Sequence, residues 1–138
     1  MERRLDVITL AVADLELALA FYRRLGFESD GIIGTEFPGG TAAMFELDGG
    51  LTFALYGRED LEKDANATFD APGRGEFSIG HLVASREEVD SVLTAAEAAG
   101  ATLTEVPYDR PWGIYSGYFR DLDGHLWEVI WNPRAALA

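Results

Sequence analysis

Two residues in this chain of 138 have the types and setting for joint acid–base work, His81 and Glu128. The stretch from Tyr118 to Pro133 reads as strand, tight turn, strand, with Asp121, Leu122, Asp123 and Gly124 supplying the turn. After the turn, Leu126, Glu128 and Ile130 alternate with Trp127, Val129 and Trp131, so Glu128 is a carboxylate on an otherwise apolar strand face. A buried charge there is costly unless it is paired, hydrogen-bonded or bound to a metal. His81 falls in a second strand, Glu76 to Ala84, on the face of Phe77, Ile79 and Val83. A carboxylate beside an imidazole fixes its tautomer and raises its basicity, and such a pair serves as general acid and base without a metal. The plainer readings are a core histidine and a carboxylate satisfied by Arg, Tyr or backbone donors.

Aromatic residues are the second group. Trp112, Tyr115 and Tyr118 stand among Gly113, Ser116 and Gly117, and glycines allow a ligand to approach the backbone closely. With Phe45, Phe53 and Tyr56 they would wall a pocket for a planar or cationic molecule, and ordinary core filling is the competing use of the same rings. Trp127 and Trp131 alternate with Glu128 and are expected to pack under helices, while His125 directly follows the turn and is expected to be exposed or structural. Other chemistries lack their parts. The chain has no Cys, no Gly-x-Ser-x-Gly elbow and no Walker-type phosphate loop.

The net charge is −13, from 24 acidic against 11 basic residues. A surface this acidic repels phosphate backbones and attracts cations, which argues against nucleic acid as a partner. No apolar run approaches the roughly 20 residues that span a bilayer, so no membrane partner is expected. Met1 to Asp6 shows no secretory h-region, and without cysteines a cytoplasmic location is the expectation.

These residues need elements to hold them. Leu5 to Val12 reads as a buried strand, Asp14 as an N-cap, and Leu15, Ala18, Leu19, Tyr22 and Leu25 as the apolar stripe of a helix closed by Gly26. Phe27 to Thr35, Ala42 to Leu47 and Leu51 to Tyr56 read as three strands. Residues 57–75 are polar with weak periodicity and read as a linker loop, with a lid as the sharper alternative. The pattern then restarts with the strand Glu76 to Ala84, a capping box at Ser85 to Glu88, and a stripe of Val89, Val92, Leu93, Ala96 and Ala99 ending at Gly100. Ala101 to Val106 and Ile114 to Arg120 read as strands around a loop from Pro107 to Trp112.

Leu15 and Val89 are 74 residues apart, and the same offset relates Gly26 to Gly100, Gly50 to Gly124, Phe53 to Trp127 and Leu55 to Val129. A fixed offset through helix and hairpin signals a duplicated unit. The expected fold is therefore α+β. It is one domain over 1–138, made of two tandem βαβββ modules (5–56 and 76–132) whose curved mixed sheets flank a concave cleft. Applied throughout, the offset pairs His81 with Val7 and Glu128 with Ala54.

Ile8 to Leu15, Ala20 to Phe27 and Phe119 to Glu128 together resemble the vicinal oxygen chelate superfamily, which includes glyoxalase I, bleomycin-resistance proteins and extradiol dioxygenases. Leu122 stands where that family usually has Pro in the last turn. The resemblance implies metal ligands at the first and last strands of each module, here Val7, Ala54, His81 and Glu128. Val7 and Ala54 cannot coordinate, whereas catalytic sites usually supply about three protein ligands. No metal cofactor is therefore expected. The resemblance further implies a homodimer and a protein that binds a small molecule without altering it, and the acidic charge and the aromatics of the second half agree with a cationic or aromatic ligand. The alternative it leaves is a lyase, isomerase or dioxygenase using His81 and Glu128, with a weakly held metal or as an acid–base pair.

Overall fold

Asp14 ends the first strand and starts the first helix, because its carboxylate accepts the Leu17 amide at 3.0 Å and satisfies an otherwise unpaired donor. Similar local rules set most elements of this computed structural model, which describes residues 1–70 and 76–135. The chain divides into two compact units, Met1–Asp70 and Ala71–Ala138.

The first unit runs β1 (Val7–Val12), α1 (Leu15–Arg24), β2 (Ile32–Ile33), β3 (Ala42–Glu46), β4 (Thr52–Gly57) and α2 (Arg58–Ala65). Its sheet has the order β1-β4-β3-β2, with β1 parallel to β4 and the other pairs antiparallel. Registers Ile8↔Phe53 and Leu10↔Leu55 set those residues on one face, where Phe45 and Phe53 stack at 5.5 Å and Tyr22 of α1 meets Phe53 edge-on at 4.9 Å. Phe45 and Phe53 are 0% and 2% exposed. They are core beneath α1 and have no surface to offer a ligand, which corrects their assignment as pocket walls.

Two expectations change here. The strand expected from Phe27 to Thr35 shrinks to two residues, because Gly31 and Gly34 take positive φ on either side of it. The stretch read as a linker loop begins with α2, which ends at Asn66 in the left-handed region. This helix buries no side chain, so it carries no apolar stripe for periodicity to detect. The remaining part of that linker, 71–75, lies outside the described residues.

The second unit runs β5 (Ser78–Val83), α3 (Arg86–Ala99), β6 (Thr102–Leu103), β7 (Tyr108–Asp109), β8 (Tyr115–Arg120) and β9 (Leu126–Trp131). Its sheet has the order β5-β9-β8-β6, and β7 also pairs with β8 where a loop was expected. Ser85 caps α3 by accepting the Glu88 amide at 3.1 Å, and Glu88 reaches back to the Ala84 amide. Val89, Leu93 and Ala96 of α3 are buried, as are Phe119, Trp127 and Val129 of the sheet. Phe119 and Trp127 stack at 6.0 Å with planes 4° apart. Asp121 shapes the last turn by accepting the amides of Asp123 and His125, and Gly124 takes φ 87° there.

The two units are thus both mixed α/β layers of the βαβββ kind, the second with the added β7. Their repeat is not uniform. β4 and β9 start 74 residues apart, but β1 and β5 start only 71 apart, because Gly100 follows the start of α3 by 14 residues and Gly26 follows the start of α1 by 11. Val7 therefore corresponds to Ser78, and His81 to the buried Leu10.

Candidate binding site

That shift separates the expected acid–base pair. In the β5–β9 register Gly80 lies beside Glu128 and His81 beside Val129, and neighbours in a parallel ladder share a face. His81 consequently shares the side of Val129 and Trp127 that faces α3, and Glu128 points from the opposite face. The structure does not bring His81 and Glu128 together. His81 is exposed on the edge strand β5.

Around Glu128 the sheet supplies hydroxyls instead. In the β8–β9 register Tyr118 pairs with Glu128 and Ser116 with Ile130, so all four side chains share the face away from α3. The Ser116 hydroxyl donates to Glu128 Oε2 at 2.8 Å, and Tyr118 stands directly opposite the same residue in the ladder. Burial first, and then the Glu128 carboxylate, hold the Tyr118 phenol above its ordinary pKa. Ser116 in turn accepts from Arg110 Nε at 3.0 Å, while Arg110 Nη2 donates to the Ser116 carbonyl at 3.1 Å. The Arg110 guanidinium lies 3.7 Å from the centre of the Tyr108 ring and 5.5 Å from that of Tyr118. Arg110, Ser116 and Tyr108 escaped the sequence reading. The signal for them was a lone cation between aromatics, in Tyr108-Asp109-Arg110-Pro111-Trp112.

Beside this network the same face opens into a hollow of about 500 Å³, lined by Glu76, Phe77, Ser78, Thr104, Tyr118, Arg120 and Leu126. Tyr118 belongs to both, opposite Glu128 in the ladder and lining the hollow.

The other aromatic candidates go elsewhere. Tyr115 pairs with Trp131 on the α3 side, donates to Asp90 at 2.7 Å and carries the Arg86 guanidinium at 4.2 Å from its ring centre. It ties α3 to the sheet and does not share the Tyr118 face. Trp112 is 63% exposed in the loop after β7, and Arg134 holds its carbonyl. Tyr56, in the first unit, donates to the Gly39 carbonyl; burial, then Asp64 and Asp60, raise its pKa. His125 is half-buried, with its backbone bound to Asp121 at both N–H and C=O.

Comparison with known proteins gives this fold a family. The Glyoxalase/Bleomycin resistance protein/Dioxygenase superfamily profile matches residues 4–129, and the chain belongs to that superfamily. It is similar to a glyoxalase-related enzyme from Fulvimarina pelagi, at 26% identity and TM-score 0.86 over 99% of this chain and 94% of that one. It is also similar to a lactoylglutathione lyase from Agrobacterium tumefaciens, at 27% identity and TM-score 0.68 over 95% of each. A hypothetical protein from S. aureus matches at 25% identity and TM-score 0.79 over 94% of each chain. No curated protein matches.

The metal chemistry that the resemblance implies does not fit the donors present. Val7 and Ala54 are hydrocarbons, the residue corresponding to Val7 is the neutral hydroxyl of Ser78, and only Glu128 remains as a strong ligand. Among the described residues no three His, Asp or Glu side chains form a metal-holding group. No helix among them is long and apolar enough to cross a membrane.

Proposed function

We propose that this protein binds a small aromatic cation, without a metal, on the face of the second sheet that carries Glu128. The observation that carries this reading is the state of that carboxylate. Glu128 is half-buried, accepts from the Ser116 hydroxyl, stands opposite the Tyr118 phenol, and forms no ion pair among the described residues. A carboxylate held in this way is placed to accept from a cationic or hydrogen-bond-donating ligand, with the Tyr118 ring beside it. Glu76 at the hollow adds a second carboxylate on the same side. The ligand is sequestered, not transformed, by a homodimer in the cytoplasm; sedimentation of the purified protein tests the dimer.

Benzyltrimethylammonium is a suitable probe, followed by tryptophan fluorescence. Its affinity is expected to fall about tenfold, or about 1.4 kcal/mol, in E128Q and to stay unchanged in H81A. Elemental analysis after incubation with nickel, zinc, iron or manganese is expected to find no stoichiometric metal. About one metal per chain, lost in E128Q, would overturn this reading. It would favour a second one, a lyase using Glu128 as a ligand, which the similarity to the Agrobacterium lyase supports.

A further inference from the structure

Arg110 is a buried cation whose own bonds leave part of it free. It is 9% exposed, and a buried charge is costly without a counter-charge. Its Nε and Nη2 are committed to the Ser116 hydroxyl and carbonyl. Tyr108 and Tyr118 attract its guanidinium through their rings but do not neutralise it. No carboxylate among the described residues lies within ion-pair distance of it. Nη1 makes none of these bonds, yet among the described residues no buried side-chain nitrogen lacks a partner. Nη1 therefore reaches solvent.

A structural pin to Ser116 would need only Nε and Nη2. What it leaves over is a guanidinium edge, held rigid by the ring beneath it, on the Glu128 face of a strongly acidic protein. We propose that Arg110 is an anion-recognition residue: the ligand carries a carboxylate- or phosphate-class group that bonds Nη1 next to the Glu128–Ser116–Tyr118 network. The proposal rests on the reading that this face of the second sheet is the ligand site. It makes the ligand amphoteric, with its cationic part at Glu128 and its anionic part at Arg110. Ser116 separates the two protein charges, donating to one and accepting from the other, so neither quenches the other by direct contact.

The test follows the arginine Nε–Hε resonances of the wild-type protein by NMR during titration with benzoate and, separately, phenyl phosphate. A saturable shift of the Arg110 resonance is expected, with Arg86, already paired with Asp109, unmoved. R110Q is expected to weaken the better probe at least tenfold, and R110K to restore part of the loss by keeping the charge without the fork. Stronger binding of benzoate identifies a carboxylate, and stronger binding of phenyl phosphate a phosphate group. A silent Arg110 resonance at about 10 mM of both probes, where a millimolar contact is mostly filled, overturns the proposal even if R110Q does not fold. The two readings fail separately. A silent Arg110 with cation binding sensitive to E128Q removes this inference alone, and an Arg110 response with cation binding indifferent to E128Q removes the Glu128 reading.

Discussion

Glu128 and Tyr118 stand opposite each other across β8 and β9, and the phenol reports on that pairing. A tyrosine that is partly desolvated and beside a carboxylate resists losing its proton, since ionisation would set two anions side by side. Tyr118 is therefore expected to ionise above an ordinary tyrosine, read by its absorbance near 295 nm as pH rises. Its folded pKa is raised, so the stability it contributes is present below the unfolded value and is lost as pH climbs through the folded one. E128Q should bring the titration only part of the way back, because burial is the larger cause. A Tyr118 titration that E128Q leaves unmoved would mean that the phenol and the carboxylate do not meet in solution. Glu128 was legible in the sequence because a charge in a period-two apolar pattern stands out without any tertiary information. Its pairing with His81 was not legible, because the segment from the start of α3 to Gly100 is three residues longer than that from the start of α1 to Gly26, and an odd shift moves a strand position to the other face. Phe45 and Phe53 fell on the wrong side of the same ambiguity, since an aromatic in a strand reads alike whether it meets a ligand or a helix.

At the level of elements, α3 grips the strands that carry the site at two points. Near its start, Arg86 bonds Asp109 of β7 and covers the Tyr115 ring, while Asp90 takes the Tyr115 hydroxyl. The Arg86 bond holds the Asp109 carboxyl below its usual pKa. A depressed carboxylate contributes stability above its unfolded pKa, and that contribution is lost as pH falls through the folded one. Both partners are exposed, so the effect is small and screened by salt. R86M should reduce the drop in melting temperature between pH 7 and pH 3 at low ionic strength, with the difference vanishing in molar salt. Further along, Gly117 lies between Ser116 and Tyr118, and a Cβ there would stand 2.6 Å from Leu93 Cδ1 and 3.0 Å from Pro107 Cβ. Leu93 is fully buried and cannot swing aside freely. G117A is expected to cost about 1–3 kcal/mol in urea unfolding, the range for overpacking, and L93A should recover part of it in the double mutant. Caps and apolar stripes made α1 and α3 legible in the sequence. They gave no sign of α2, which packs no side chain deeply, nor of this close approach, which needs the register of β8 against α3.

Across the whole molecule the dominant fact is the net charge of −13, carried by a chain whose isoelectric point is about 4.4. Its sign, unlike the geometry of the site, is read directly from the sequence, and so is the duplication that produced two similar units. The charge acts at a distance that the site contacts do not. In dilute buffer the field of the protein draws a cation toward it and drives an anion away, and at about 0.5 M salt the screening length shrinks to a few ångströms. A ligand with both charges is the telling case. Benzyltrimethylammonium should associate several-fold more slowly at 0.5 M than at 0.02 M salt, while benzoate should associate faster, because screening removes an attraction from one and a repulsion from the other. A compound carrying both groups, such as 4-(aminomethyl)benzoate, feels little net steering, so its association rate should barely move with salt. Its dissociation rate should nonetheless rise in both E128Q and R110Q, since the local contacts are made after encounter and partly shielded from the ions. Stopped-flow fluorescence separates the two rates. Identical salt slopes for all three compounds would show that the protein's field plays no part in capture, and would leave the acidic surface as a matter of solubility.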